Sequence, residues 1–477
     1  MDEPRITGLD VGTSKIKMYI YDESMVPTKE YHIRNTTRLQ GAIAEQDPLK
    51  LLETIKGLIE KSARLGSRII GLSTYRGSLV IWGKDKKPLS PIITWMDLRS
   101  TINYNRLPLK ARISAKLPFI GPALSPESLG TRLKTYLLDS PSLEKPLAEG
   151  KAYAWNIDGY LTYMLTGKYA ADPSTAALTG LINPRTLRPL GIVFNLLNLP
   201  KIQIPELVMH DSLSLEVPSD QVVIGGLIGD QQAASIGLDC LDRGCMKISL
   251  GTGFFVDLSL GKRSPPSRYP SGTIPVALYV GSDSRIAGVE GYLTGMGKSV
   301  EWFVENMFGG SYREMDESIT PASPPLVVPY IWGGRTPRLS RGVSGIIGLQ
   351  PGYTMKSIAN GLAHGVAAAL SYVYNVLKEK YGPPSDIRVT GGLTRLTRFN
   401  ELVASYLGEK IRVSRRHDTS ALGAALLAAK SQGINVTFEQ EFQEIDPDPE
   451  LAVLDSREIV EWAMVIQKKM KNPYSIM

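Results

Sequence analysis

A chain of 477 residues has room for about three domains of ordinary size, or two large ones, which excludes a lone small module. Apolar residues make up 43% of it and charged residues 21%, the balance of a chain that buries a full core, which excludes a disordered polymer. The 54 Lys and Arg against 47 Asp and Glu leave a net charge of +7, an excess that favours anionic partners without choosing among nucleic acid, membrane surface, nucleotide and phosphorylated metabolite.

Asp2 and Glu3 lead within a few residues into a strand-like run, unlike a secretory or transit peptide. Ile6 to Tyr21 reads as two β-rich runs joined by a tight turn at Asp10-Val11-Gly12-Thr13-Ser14. Pro48 to Leu65 follows as a helix, Ile69 to Thr74 as a buried strand, and Val80 to Trp82 as a strand turned by Lys84 to Pro88. Near the middle the opening pattern returns: Met246 to Leu250, then Gly251-Thr252-Gly253, then Phe254 to Leu258. Two Gly-Thr hairpins about half a chain apart predict two similar α/β halves.

Further on, Ser264 to Pro270 and Pro321 to Pro329 read as surface connections. Ser357 to Lys380 is a long apolar helix with small residues on its packed side, and His364 within it reads as a packing histidine. Ile387 to Thr390 is a short strand ending at Gly391-Gly392, and Thr419 to Ala429 a small-residue helix capped by Asp418 or Thr419. Trp82, Trp95 and Trp302 are expected in the core, with a ligand-facing role open for Trp95. Cys240 and Cys245 are too few for a disulfide framework and lack the further Cys or His of a zinc site, so a reducing cytosol is the simplest home. No apolar stretch approaches the roughly 18 residues of a membrane helix. Nucleic-acid binding finds no helix-turn-helix or zinc-finger pattern, and the basic run Arg412 to His417 reads as a solvated loop.

The chemistry concentrates at the hairpins. Asp10 stands at a strand end beside Gly12, Thr13 and Ser14, where amides and hydroxyls face phosphate oxygens and a carboxylate holds magnesium; Lys17 reaches the same phosphates. Two opposing Gly-Thr turns predict a nucleotide clamped between two domains, and no Walker-type run is present.

Segments spread over more than 400 residues then fall into one order: the Asp10 hairpin, Ala44-Glu45-Gln46-Asp47-Pro48, Trp95-x-Asp97-x-Arg99, Asp158 to Gly167, Gly229-Asp230-Gln231-Gln232-Ala233-Ala234, Gly251-Thr252-Gly253, Gly391-Gly392 and Ser420 to Ala425. On these the chain resembles the FGGY family of carbohydrate kinases. The resemblance implies an α/β fold of two similar ribonuclease H-like domains, of the actin, hexokinase and Hsp70 ATPase type, around a central cleft. Residues 1–224 would form the acceptor-side domain and 225–477 the domain with the base and the adenine site. It implies ATP and magnesium as cofactors, a sugar or polyol substrate, a homodimer as a common arrangement, a cytoplasmic location, and neither nucleic acid nor membrane as partner.

Residue by residue, the resemblance makes Asp230 the catalytic base, with Asp10 and Asp230 on the metal. Gly12, Thr13, Ser14, Lys17, Gly251, Thr252 and Gly253 would contact phosphates, and Gly297, Gly391, Gly392 and Leu393 would line adenine and ribose. Arg76, Gly77, Trp95, Asp97, Pro173, Asp230 and Gln231 would surround the acceptor. Motifs around Asp230, Phe254 and Glu290 to Trp302 are closer to glycerol kinase than to xylulokinase. Gly77 and Pro173, however, stand where glycerol kinase has a hydroxyl-binding Glu and a closing Tyr, which predicts an altered pocket. The xylulokinase His at the Gly77 position is absent too. Arg132 departs from one family signature, and Ser357, Gly361 and His364 from another. Asp97 and Arg99 have an alternative as an internal ion pair ordering a loop. The alternatives for the whole chain are a pentulose kinase and, from another class, a non-catalytic nucleotide-dependent binding protein.

Overall fold

Strand Arg5–Val11 pairs antiparallel with Lys15–Tyr21, placing Asp10 opposite Lys17, and Lys15–Tyr21 pairs with Pro27–Arg34. Ser67–Thr74 then lies parallel to Arg5–Val11, and Val222–Gly229 parallel to Ser67–Thr74. The second half repeats this. Cys245–Leu250 pairs antiparallel with Phe254–Lys262 and that strand with Arg285–Leu293, while Asp386–Thr390 lies parallel to Cys245–Leu250 and Ile411–Ser414 parallel to Asp386–Thr390. With five strands of each half counted in chain order, both sheets read 3-2-1-4-5, and Leu215–Val217, Ile274–Val280 and Phe442–Ile445 extend their edges. The repeated Gly-Thr turn is therefore the visible part of a repeated sheet. The computed structural model describes residues 5–117, 119–339 and 342–470, so Asp2 and Glu3 lie outside the described residues.

The expected division at 224/225 falls inside Val222–Gly229, which runs along Ser67–Thr74 to its end, so the first sheet extends to Gly229. The halves interlock there. Helix Thr419–Ser431, late in the chain, packs on the first sheet over Gly8, Gly71 and Gly226, which share one register across three strands. A Cβ added at these positions would stand 2.2 Å from the Ala421 carbonyl oxygen and 2.0 and 2.4 Å from that of Ala424. The same helix crosses helix Asp230–Gly237 just as closely. A Cβ at Gly423 would meet the Ala233 carbonyl at 1.9 Å, and one at Gly237 the Thr419 carbonyl at 2.0 Å.

Helix Pro48–Arg64 has its cap at Asp47, which accepts from the Leu49 and Lys50 amides, and buries Leu51, Ile55, Leu58 and Ile59. Trp82 is fully buried among Tyr153, Tyr160, Tyr163 and Tyr169. In the second half, helix Met355–Tyr381 brings Gly361 and Gly365 against the backbone of Pro325 and Val327, as its small residues predict. His364 is buried there between the Tyr406 hydroxyl at 2.9 Å and the Thr320 carbonyl at 3.0 Å, a satisfied packing histidine.

Several expectations are corrected. Pro321 to Pro329 is not all surface connection: Leu326–Tyr330 is a buried strand paired with Val343–Ile347. Arg412 to His417 is a loop only from Arg415 on: Ile411–Ser414 is a strand paired on both sides, and Arg412 and Arg416 are held by Asp386 and Asp418. Asp418 precedes its helix, but its carboxylate is taken by the Tyr21 hydroxyl and Arg416, so it makes no side-chain cap. Trp302 is 49% exposed, outside the core. Cys240 and Cys245 form a disulfide, which removes the argument that cysteine scarcity made for a reducing compartment. Among the described residues, no helix is long and apolar enough to cross a membrane.

Gly71→Ala should destabilise the protein by about 3 kcal/mol in denaturant unfolding, because the clash is with backbone that cannot rotate away. Gly57→Ala, inside a helix with nothing within 4 Å of the added carbon, should instead stabilise it by about 1 kcal/mol. Burial pushes His364 down to about 4, so between there and the ordinary histidine value the unfolded chain binds the extra proton. Its contribution to stability is then present at neutral pH and lost as pH falls through that window, by up to about 3 kcal/mol. His364→Gln should flatten that part of the stability profile relative to the wild type.

Candidate functional site

The first turn is braced from three sides. The Gly12 amide donates to the Lys15 carbonyl and the Gly12 carbonyl accepts from Asn35, while Gln46 donates to the Thr13 carbonyl. A Cβ at Gly12 would lie 2.8 Å from the Lys15 oxygen, so the tight turn needs glycine there. Asp10 is nearly buried at the strand end, accepts from Ser73 at 3.0 Å and lies 3.8 Å from Lys17. The Trp95 indole donates to the Thr13 hydroxyl at 2.9 Å, which ties the acceptor-side loop to the phosphate turn.

Asp230 is the first residue of its helix, with Gly229 as the N-cap. Its side chain is 25% exposed and lies 3.7 Å from Arg76 of the first half. Gln231 holds both carboxylate oxygens, its amide N–H donating to Oδ1 at 2.9 Å and its Nε2 to Oδ2 at 3.2 Å. Burial lifts the proton affinity of Asp230 above the ordinary carboxylate range; Asp10 adds to the lift, while Arg76 and Lys247 pull it back. Arg76 also crosses the cleft to Glu290 at 2.7 Å. Behind these lie Lys247 and Asp257, paired at 2.5 Å. The cluster holds two cations, Arg76 and Lys247, against the three carboxylates of Asp230, Asp257 and Glu290. Burial pushes Glu290 up, Arg76 opposes this and Asp257 reinforces it.

A buried junction fixes Gly229, the residue before Asp230. The Asp172 carboxylate accepts from the Gly229 amide at 2.9 Å, from the Ser174 and Thr175 amides and hydroxyls, and from His210 Nε2 at 2.8 Å. The Val280 amide donates to His210 Nδ1, so the ring proton sits on Nε2 and the histidine is neutral. Burial alone would raise Asp172; His210 and the hydroxyls hold it below its usual range. Neighbouring Asp158, fully buried beside it, is pushed up to about 7 by burial and by the Asp172 charge.

The second turn carries Gly251, Thr252 and Gly253, and the Thr252 carbonyl receives the Lys298 amide. Gly297 and Gly391 each have a packing reason to be glycine: a Cβ at Gly297 would be 1.9 Å from the Gly251 carbonyl, and one at Gly391 2.5 Å from Leu250. They let two backbones meet the turn. Gly392 faces open space with nothing within 4 Å, and Leu393 is buried behind it.

On the acceptor side, Gly77 has φ +71°, and an added Cβ would lie 3.3 Å from Trp95. Asp97 is buried and committed to the loop-ordering alternative, accepting from the Ala44 amide and from Arg99. Pro173 is buried as the first residue of a four-residue helix capped by Asp172, within the junction. Arg132 donates to the Thr94 and Trp95 carbonyls and shapes that loop. Sequence reasoning missed Glu290 as a partner of Arg76, and missed Arg335, which reaches from the second half over Tyr292 to Glu127 at 3.3 Å.

Among the described residues, no group of three or more His, Cys, Asp or Glu is placed to hold a metal ion. The pair Asp10 and Asp230, facing a phosphate turn, suits magnesium, which takes one or two carboxylates and completes its shell with phosphate oxygens and water.

Comparison with known proteins agrees with this geometry. Residues 5–237 match the N-terminal domain, and residues 246–431 the C-terminal domain, of the FGGY family of carbohydrate kinases. Glycerol kinase 5 of Danio rerio is 26% identical over 90% of this chain and 88% of its own length. Glycerol kinase of Roseiflexus sp. is 25% identical over 92% of both. Among solved structures, Plasmodium falciparum glycerol kinase with ADP superposes with a TM-score of 0.81 at 21% identity, over 98% of this chain and 99% of that one. Ligand-bound xylulose kinase of Lactobacillus acidophilus gives 0.82 at 18%, over 99% of each.

Proposed function

Because the chain belongs to the FGGY family of carbohydrate kinases, we propose that it transfers the γ-phosphoryl group of ATP to a hydroxyl of a sugar or polyol, with Asp230 as the base. One observation carries the role of Asp230: a part-exposed carboxylate of raised proton affinity, fixed by Gln231 and Arg76, stands across from Asp10 and the first phosphate turn. An alcohol is a poor nucleophile near neutral pH, and a positioned carboxylate that orients it and takes its proton supplies what an in-line displacement needs.

Arg76 donates toward acceptor hydroxyls from the first half, and Lys17 with the two glycine turns holds the polyphosphate. Magnesium at Asp10 and Asp230 would neutralise phosphate charge as the bond to the leaving oxygen breaks. Closure of the halves around the acceptor excludes water and limits idle ATP hydrolysis.

The reaction is of the glycerol-kinase type with an altered acceptor pocket. The left-handed backbone at Gly77 disfavours any side-chain carboxylate there, and this loss of a polar acceptor supports the second reading, a pentulose such as xylulose or ribulose. A homodimer and a cytoplasmic location belong to the same proposal.

Asp230→Asn should lower kcat by about 10³ while leaving KM for ATP within about twofold. A coupled ADP-release assay with glycerol, xylulose, ribulose, erythritol and gluconate measures this and ranks the acceptors. Wild-type turnover by the variant would remove Asp230 from the role of base. ATP binding without stimulation by any acceptor would favour the nucleotide-dependent binding protein.

A further inference from the structure

Behind Gln231 a row of three charges crosses the second sheet, and at one end of it Glu290 holds Arg76. Lys247, Asp257 and Glu290 stand opposite one another on three adjacent strands. Lys247 and Asp257 are sealed from solvent, their side chains 0% and 1% exposed. Such a pair is costly to bury, and apolar residues of similar volume often serve stability equally well. Stability alone therefore does not account for it.

The Lys247 ammonium makes three contacts: Asp257 Oδ2 at 2.5 Å, the Gln231 carbonyl at 3.0 Å and Gln231 Oε1 at 2.9 Å. An ammonium only donates, so the Gln231 atom facing it has to be the oxygen. That choice turns Nε2 toward Asp230 Oδ2. Asp230, which only accepts, asks for the same end, so the amide is held from both sides; with Lys247 absent, Gln231 Oε1 loses its donor and the side chain keeps only its bond to the carboxylate. Asp257 Oδ1 meets no hydrogen-bond donor among the described residues. The partner that compensates the buried Asp257 carboxylate is thus Lys247, 2.5 Å away.

We propose that Lys247 and Asp257 act as positioning residues for the phosphoryl transfer: Lys247 sets the amide of Gln231, and Gln231 in turn holds the Asp230 carboxylate in the orientation that meets the acceptor hydroxyl. The proposal rests on Asp230 as base.

The test uses the full chain and three variants, Lys247→Met, Lys247→Met/Asp257→Leu and Gln231→Met, each followed by thermal unfolding and by steady-state kinetics with the best acceptor. Lys247→Met should lose both stability and kcat, since it leaves a buried carboxylate uncompensated. Removing both charges should restore the unfolding temperature, yet kcat should stay at least about tenfold down, with KM for ATP within about twofold. Gln231→Met should show a similar kcat loss, and the double charge substitution added to it should lower kcat no further. A purely structural pair predicts the opposite, namely that activity returns together with stability in the charge-free variant. Wild-type kcat in that variant or in Gln231→Met overturns the proposal. A wild-type chain that is idle with every acceptor overturns the kinase reading and this proposal with it; an active wild type with an equally active charge-free variant overturns this proposal alone.

Discussion

Contact of backbone on backbone, with no side chain between, sets the relation of the two halves. Helix Thr419–Ser431 belongs to the second half by sequence, yet it seats on the first sheet along a groove made by Gly8, Gly71 and Gly226, and crosses helix Asp230–Gly237 at Gly237 and Gly423. Contacts this close leave little freedom to slide, because neither surface carries rotatable atoms that could absorb a shift. One side of the groove is the strand that ends in Asp10, and the other face of the seated helix holds the helix that begins at Asp230. Two carboxylates about 220 residues apart in the chain are therefore registered by the same five glycines.

The cleft adds a second, electrostatic layer to that mechanical one. Arg76 links the halves through Glu290 and Asp230, and the buried Asp172–His210 junction links the first half to Gly229 and to Val280. The two links differ in kind. The junction is sealed, neutral at the histidine and saturated with donors, so it behaves as a fixed pivot. The Arg335–Glu127 pair is farther out, with the Glu127 side chain half exposed, and a pair in that setting is worth little and breaks easily.

Much of this was legible in the sequence. Each Gly-Thr turn fixes a hairpin register, and counting outward from the second one places Lys247 opposite Asp257, just as counting from the first places Asp10 opposite Lys17. Glu290 was not legible in the same way, since its place depends on a third strand whose register no local turn sets. Gly297 and Gly391 sit in segments where a nucleotide is expected, and only three-dimensional contact shows that each also has a packing reason to be glycine, against the Gly251 carbonyl and Leu250. Asp97 was open between a ligand and an ion pair because its partners, the Ala44 amide and Arg99, are equally compatible with both until the loop is folded.

The bond from Trp95 to Thr13 bears on how such a site avoids spending ATP on water. Thr13 lies in the phosphate turn and Trp95 heads the loop that passes Gly77 on the acceptor side, so a shift of that loop is felt at the phosphates through one hydrogen bond of 2.9 Å. Gly77 brings its backbone against the Cβ of Trp95, where any larger residue would carry positive φ and press on the ring's base. The glycine thus keeps the tryptophan in place as well as vacating room beside it. In the proposed reaction, recognition of acceptor hydroxyls would pass from a side chain at position 77 to Arg76, whose guanidinium is already shared with Glu290 and Asp230. On that proposal, an acceptor that competes for the Glu290 hydrogen bond or the Asp230 ion pair would rearrange the charge around Asp230 as it binds, so the group that recognises the substrate would also set the readiness of Asp230 to take a proton.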